Sequence, residues 1–364
     1  DQFTTTMKTN RLKDSENKIA ITPEEPDDLF NLRRVIEIGD NIIADTTRVI
    51  KQEKEFARPD KGERIKVKIN LRIEKISFDN TIERLKISGT IVASNNESIP
   101  KGLYHSIGVK INDTIILEKS GWTEDYLNLI TGSVSEFKYI LVSMDSEETS
   151  IAKLIGTNLK IIPNIYSGKS GKRFSANQKN ETHIKSYFEN IKNSLDVYKE
   201  EIGIKIIIFG PGETKRKFLN YLKEKEESYK NKDLMLTEGI ETSGEDGFFV
   251  FLRSDAMKEI LANSKIAMVS TILDNVMYQI NKGEKKFAIG INEIRYANSL
   301  NAIDKMVYSD KVFFEMKEDE FIKMLNEIES KKNVKTFATD SSTDIGMRVS
   351  SLGGIIALLR FQIN

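Results

Sequence analysis

Ile65-Lys-Val-Lys-Ile-Asn-Leu-Arg-Ile-Glu74 alternates apolar and polar side chains at every step. Successive strand side chains point to opposite faces, so a period of two specifies a strand with one buried and one solvated face. The pattern returns in Arg84-Leu-Lys-Ile-Ser-Gly-Thr-Ile91, where Leu85, Ile87, Gly89 and Ile91 share one face and Arg84, Lys86 and Ser88 the other. Outward from this pair, Thr46–Ile50 and Ile107–Ile111 read as further strands. Upstream, Pro26 suits the first turn of a helix over 26–37, and Asp27 and Asp28 suit its positive end. Leu29, Leu32, Val35 and Ile36 then recur at helical spacing. A second short helix is expected near Glu124–Ile130. Residues 1–135 are therefore expected to form a small, mostly β, barrel-like domain.

After Phe137 the pattern changes. Tyr139–Met144, Ile151–Ile155 and Leu159–Tyr166 predict three consecutive strands. A helix over 180–201, a buried strand Ile204–Phe209 and a helix over 214–230 follow, so residues 136–263 are expected to be an α/β domain. Residues 245–282 read as helical with a break around Asn263. Residues 264–364 then alternate strands (287–290, 305–308, 334–338, 355–361) with helices (291–301, 318–332, 343–352), a compact α/β sandwich. The expected fold class is multidomain α+β.

The composition removes several chemistries. Of 364 residues none is cysteine, which excludes disulfides, thiolate nucleophiles and cysteine-bound zinc. His105 and His183 are the only histidines; neither has a carboxylate at a recognisable catalytic spacing, and both read as structural. No apolar run is long enough to span a membrane and no signal-peptide pattern opens the chain, so the cytoplasm is the expected location. With 55 basic and 55 acidic residues the net charge is zero, and it is balanced within each expected domain. Any nucleic-acid surface must be local.

Three stretches qualify as local sites. Gln52–Arg64 is a charged connection between two strands, with Lys54, Arg58, Lys61 and Arg64 set among Glu53, Glu55, Asp60 and Glu63; by its residues alone it reads as an exposed hairpin tip. Ser167-Gly-Lys-Ser-Gly-Lys172 looks like a phosphate-binding loop, but its glycines are too close together and Arg173 stands where Ser or Thr is needed. With Lys160, Lys179 and Lys185 around it, the stretch reads either as a phosphate-contacting loop or as a solvated one. Gly210-Pro-Gly212 follows a buried strand and leads into Thr214-Lys-Arg-Lys217, a position where α/β sheets commonly bind. The acidic run Glu24, Glu25, Asp27, Asp28 suits a hard cation or, better, the helix N-terminus beside it.

The order of motifs resembles one family. Pro23-Glu-Glu-Pro-Asp-Asp-Leu-Phe30, Ile38-Gly-Asp40, Ala44-Asp-Thr-Thr-Arg48, Leu85-Lys-Ile-Ser-Gly-Thr-Ile91 and Gly102-Leu-Tyr-His-Ser-Ile107 are similar to the opening of archaeal Pelota proteins. Ile165-Tyr-Ser-Gly-Lys-Ser-Gly171, Ile208-Phe-Gly-Pro-Gly212 and Ile355-Ile-Ala-Leu-Leu-Arg-Phe361 extend the likeness to nearly the whole chain.

The resemblance implies an Sm-like β-barrel domain followed by two domains shared with the class-I release factor. It implies binding in the empty decoding site of a stalled ribosome with an elongation factor 1-alpha-like GTPase. Subunit splitting with an ABC-type recycling ATPase follows, in the service of ribosome rescue, mRNA surveillance and no-go decay. Binding would need no cofactor, and the protein would act as a monomer away from membranes. Residues implied to face ribosomal or messenger RNA are Arg48, Lys51, Lys54, Arg58, Lys61 and Arg64, with Lys169, Lys172 and Arg173 in the central loop. Those implied to meet the GTPase are Pro211, Gly212, Glu213, Lys215 and Lys217, with Glu213 standing where the family usually carries Phe. Release factors hydrolyse peptidyl-tRNA with Gly-Gly-Gln; here the single Gly-Gly pair, Gly353-Gly354, is followed by Ile355. The family is also credited with a divalent-metal-dependent endoribonuclease activity, a hydrolase reading for which residues 1–135 show no metal constellation.

Overall fold

The computed structural model describes residues 7–12, 15–50, 63–78, 83–131, 138–168, 177–198, 203–225, 229, 233–331 and 333–363. The chain divides into two compact units. One comprises Asp1–Ser135, Lys285–Ser342 and Gly346–Asn364; the other comprises Glu136–Glu284 and Thr343–Ile345.

In the first unit, β1 (Lys8–Arg11), β2 (Lys18–Thr22), α1 (Pro26–Val35), β3 (Asn41–Ile50), β4 (Glu63–Phe78), β5 (Arg84–Ser94), β6 (Tyr104–Lys110), β7 (Ile115–Glu118) and α2 (Glu124–Thr131) follow in order. The strands form one seven-stranded antiparallel sheet ordered β1-β2-β7-β3-β4-β5-β6. The period-two reading of β4 holds: Val67, Ile69, Leu71 and Ile73 are buried, and Lys66, Lys68, Arg72 and Glu74 are exposed. The expected barrel is a curled sheet with edges at β1 and β6, an open half-barrel. Its curl has a local cause. The β4–β5 register shifts between Asn70 and Leu71 and again between Ile73 and Lys75, and such bulges bend a strand. Gly89 permits the second shift, since a Cβ there would lie 1.9 Å from the Arg72 carbonyl oxygen.

The acidic run before α1 serves the helix start. Asp28 Oδ2 accepts the N–H groups of Glu24 (2.9 Å) and Glu25 (3.2 Å), and Asp27 Oδ1 accepts the Ala338 N–H at 3.0 Å.

The second unit holds β8 (Lys138–Met144), β9 (Glu148–Ile155), β10 (Asn158–Tyr166), α3 (Asn177–Leu195), β11 (Ile204–Phe209), α4 (Thr214–Lys225), β12 (Asp233–Leu236), α5 (Gly244–Leu252), α6 (Asp255–Ile260) and α7 (Lys265–Lys282). Its sheet runs β10-β9-β8-β11-β12. The β8–β11 and β11–β12 pairs are parallel and the other two antiparallel. The expected helical stretch 245–282 breaks twice, each time at a serine cap. Ser254 Oγ accepts the Met257 N–H and Ser264 Oγ the Ala267 N–H, satisfying helix-start donors. Helix α7, placed by the sequence in the third segment, clusters with the central unit.

The C-terminal part of the first unit adds β13 (Phe287–Ile289), α8 (Ile291–Ser299), β14 (Ile303–Ser309), α9 (Val312–Glu315), α10 (Glu318–Glu329), β15 (Lys335–Thr339), α11 (Asp344–Ser351) and β16 (Ile355–Leu359). Its mixed sheet is ordered β13-β16-β14-β15, with only β14 and β15 parallel.

This C-terminal sheet and the N-terminal sheet share one apolar core. Phe30 of α1 stacks on Phe78 (ring centroids 5.6 Å apart) and meets Tyr308 (5.5 Å) and Phe321 (6.2 Å). Around these rings, Arg33 pairs with Glu318 and, at 2.6 Å, with Asp319. Glu318 also accepts the Phe78 N–H at 3.0 Å.

Candidate functional site

The turn after β11 is the best-built of the expected sites. Strand β11 is buried throughout most of its length because parallel neighbours cover both edges. It delivers Gly210 with φ +136°, where a Cβ would lie 1.9 Å from the Met144 carbonyl oxygen. Gly212 follows at φ +68°. Both conformations favour glycine. Gly212, Glu213, Arg216 and Lys217 are exposed and Pro211 is half-buried.

Lys215 stands apart, only 4% exposed. Its Nζ donates to the carbonyl oxygens of Gly210 and Gly212, both at 2.8 Å, and pairs with Glu238 Oε2 at 3.1 Å. It therefore ties the turn together from beneath instead of presenting a charge to a partner. Glu238, which also accepts Arg216 Nη2 at 2.7 Å, escaped the sequence reading. It follows β12, a strand of four residues too short to show a period. Arg216 and then Lys215 hold the Glu238 carboxyl below its ordinary range.

In the N-terminal sheet, β3 and β4 pair without interruption from Asn41↔Arg72 to Ile50↔Glu63. Arg64 thus lies within β4, opposite Val49, and is exposed; Arg48 lies in β3 and is half-buried. Lys51, Lys54, Arg58 and Lys61 fall outside the described residues, as do Lys169, Lys172 and Arg173 of the central loop. No group of three or more His, Asp or Glu side chains suited to a metal occurs among the described residues. Gly353 and Gly354, with φ +91° and +79°, form the turn between α11 and β16. Ser309 N–H donates to the Gly354 carbonyl there at 2.8 Å.

A curled antiparallel sheet, a mixed sheet with a glycine turn after its buried strand, and a C-terminal mixed sheet make a multidomain α+β protein, and the match of its C-terminal part to the eRF1 domain 3 family puts it in the release-factor-like class. Comparison with known proteins narrows this class. The Pelota N-terminal domain family matches residues 5–134 and the eRF1 domain 3 family matches residues 266–363. A pelota homologue of Nitrosopumilus maritimus is 47% identical over 348 residues, covering 96% of this chain and 97% of the relative. One from Cenarchaeum symbiosum is 37% identical over 350 residues, covering 96% and 98%. The chain belongs to the Pelota family. Its fold matches the crystal structure of the Thermoplasma acidophilum Pelota protein with a TM-score of 0.60 at 23% identity, over 98% of this chain and 100% of that one. The match to Archaeoglobus fulgidus Pelota has a TM-score of 0.50 at 24% identity, over 99% of both chains. The C-terminal family match begins at 266, close to the boundary expected from sequence, whereas contacts place α7 with the central unit. The two divisions answer different questions, one about inheritance and one about packing.

Proposed function

We propose that this chain rescues stalled ribosomes. It enters the empty decoding site with an elongation factor 1-alpha-like GTPase and promotes subunit dissociation together with an ABC-type ATPase, without hydrolysing peptidyl-tRNA. Full-length membership of the Pelota family is the observation that carries this reading. Two features of the chain support it. The β3–β4 pair leads to a connection carrying Arg58 and Lys61, which suits contact with RNA phosphates. The turn at Gly210–Glu213 presents an exposed rim on a rigid base, which suits the GTPase contact. The only Gly-Gly pair is spent on the α11–β16 turn and precedes Ile355, so the release-factor tripeptide has no counterpart. On this reading the protein initiates mRNA surveillance and no-go decay by clearing the ribosome.

Co-sedimentation with ribosomes stalled at an mRNA end, with and without the GTP-loaded GTPase, tests the proposal. Enrichment on stalled over vacant-free, translating ribosomes is expected; equal or absent binding overturns it. Parallel incubation of the ribosome-bound mRNA with magnesium or manganese, then with chelator, separates rescue from the endoribonuclease alternative. Chelator-sensitive cleavage by the purified chain would favour the latter.

A further inference from the structure

Strand β4 outruns its neighbour β3. The two pair from Ile50↔Glu63 to Asn41↔Arg72. One further step is closed by the Gly39 N–H on the Ile73 carbonyl (2.8 Å) and the Ile73 N–H on the Asp40 carbonyl (2.9 Å). There Gly39, at φ +95°, joins β3 to the end of α1 and takes the chain off the edge of β4. Residues 74–78 of β4 therefore keep β5 on one edge and have no strand on the other among the described residues. Residues along a strand alternate in the edge to which they turn their N–H and C=O. Phe78 turns its N–H to the free edge, where Glu318 Oε2 accepts it at 3.0 Å. Ile76 lies two residues earlier in unbroken register with β5, so its N–H and C=O turn the same way.

Beside this edge lies a cleft of about 710 Å³, between the end of α1, the end of β4 and the start of α10. Ile36, Ile38 and Ile76 line it, and Ile38 is 71% exposed. The charges around it are unevenly matched. Glu318 and Asp319 pair with Arg33, Glu37 pairs with Lys119 at 3.1 Å, and Glu74 accepts the Thr90 hydroxyl. Every acid of the cleft is thus already bonded within the protein. Lys75 and Lys317 also line it and are exposed, and neither forms an ion pair among the described residues.

We infer that this cleft docks an extended, acidic segment of another protein as an added strand on β4. A strand edge with free N–H and C=O groups is a template for pairing. Strand addition takes its affinity from main-chain bonds and its specificity from alternate side chains. The docked segment exchanges main-chain bonds with Ile76, lays an apolar side chain beside Ile38 and brings carboxylates to Lys75 and Lys317. The two lysines also select against a second copy of this chain as the donor. The free edge strands of its own N-terminal sheet, β1 and β6, contain no acidic residue, and cations set against cations disfavour pairing. The cleft is bounded by α1 and β4 on one side and by α10 on the other, so the segment fastens the first part of the chain to the last.

The full chain is titrated with a capped hexapeptide that alternates glutamate and valine, while amide hydrogen exchange is followed by NMR. Three further peptides serve as controls: one with lysine in place of glutamate, and two with alternate amides N-methylated, one in each phase. The Ile76 amide is expected to exchange at least about tenfold more slowly with the acidic peptide bound. The Phe78 amide, already held by Glu318, should change little. The lysine peptide should leave Ile76 unmoved. N-methylation in the phase that faces β4 should abolish the effect, and in the other phase keep it. Lys75→Glu together with Lys317→Glu should weaken the acidic peptide about tenfold and let the lysine peptide bind. If that double variant melts early, Lys75→Ala with Lys317→Ala replaces it, with a smaller loss expected. An Ile76 amide unmoved at millimolar acidic peptide overturns the site. Binding that ignores both phases of N-methylation overturns strand addition, and binding that ignores both lysine replacements overturns the acidic assignment. A sedimenting mass that doubles with concentration, and falls back on adding the peptide, would give the cleft to a second copy and overturn the proposal as well.

Discussion

Lys215 shows how one buried side chain changes the meaning of a motif. In the sequence it stands beside Arg216 and Lys217 in a basic cluster at the head of a helix. Folded, it is directed at the carbonyl oxygens of Gly210 and Gly212, and Lys217 remains exposed. The two lysines therefore have separable roles. Lys215→Ala leaves the carbonyl groups of Gly210 and Gly212 without this donor, while Glu238 keeps Arg216. It is expected to destabilise the central unit by about 1–3 kcal/mol, the cost of unsatisfied buried groups. Lys217→Glu is expected to weaken GTPase binding while shifting stability by less than about 0.5 kcal/mol, as for other exposed positions. Urea unfolding of each variant beside a pull-down with GTP-loaded factor checks the pair; a Lys215→Ala protein of native stability would refute the positioning role. The apolar run of the strand and the Gly-Pro-Gly that ends it made the turn readable in the sequence. The inward aim of Lys215 and its tie to Glu238 were not readable, because they depend on a parallel neighbour, β12, that four residues do not announce.

At the scale of elements, the β3–β4 pair is the most extended feature of the N-terminal sheet. Its ladder runs to Ile50↔Glu63, so the connection between the strands is shorter than the charged stretch Gln52–Arg64, and Arg64 belongs to the strand. Replacing Arg58, Lys61 and Arg64 together with Ala is expected to weaken ribosome binding. Each lost phosphate contact should reduce the slope of log affinity against log salt by about one unit. The melting curve should barely move if the three charges sit in solvent as Arg64 does, where each contributes about 0–1 kcal/mol. Affinity measured across a salt series is the check, and an unchanged slope would return the stretch to a solvated hairpin tip. The strands were legible here because one face is buried and one is wet. The strands β1, β2 and β7 were not. They are four or five residues long, and short edge or bridging strands are defined by their partners more than by their own period.

For the whole molecule, the first and last parts of the chain form one core. Three segments are expected from the sequence, 1–135, 136–263 and 264–364, and proteolysis is expected near 132–137 and within 263–285. A cut at both places should nonetheless leave the first and last fragments bound to each other, because Phe30, Phe78, Tyr308 and Phe321 pack as one cluster ringed by the Arg33–Glu318–Asp319 pairs. Phe30→Ala is expected to cost about 3–5 kcal/mol, the usual penalty for emptying a buried aromatic site. It should also let the two fragments separate on gel filtration. Wild-type fragments that elute apart would show that the shared core does not hold them.

The sequence by itself determined the four longest strands of the N-terminal sheet, β3 to β6, the helix at Pro26, the alternation of strand and helix in the remaining segments, and the exclusion of cysteine chemistry. These depend on period, caps and composition, which are local or additive. The ordered series of motifs further determined the family. Tertiary structure alone decided that the barrel stays open, that residues 285–364 share a core with residues 1–131, that Lys215 turns inward, and that Thr46 of β3 meets His105 of β6 across the curl. Each of these depends on which distant surfaces face one another. No residue's side chain encodes such a pairing; it is settled by the bend that Gly89 and the β4 bulges permit and by burying apolar and aromatic surface at long range.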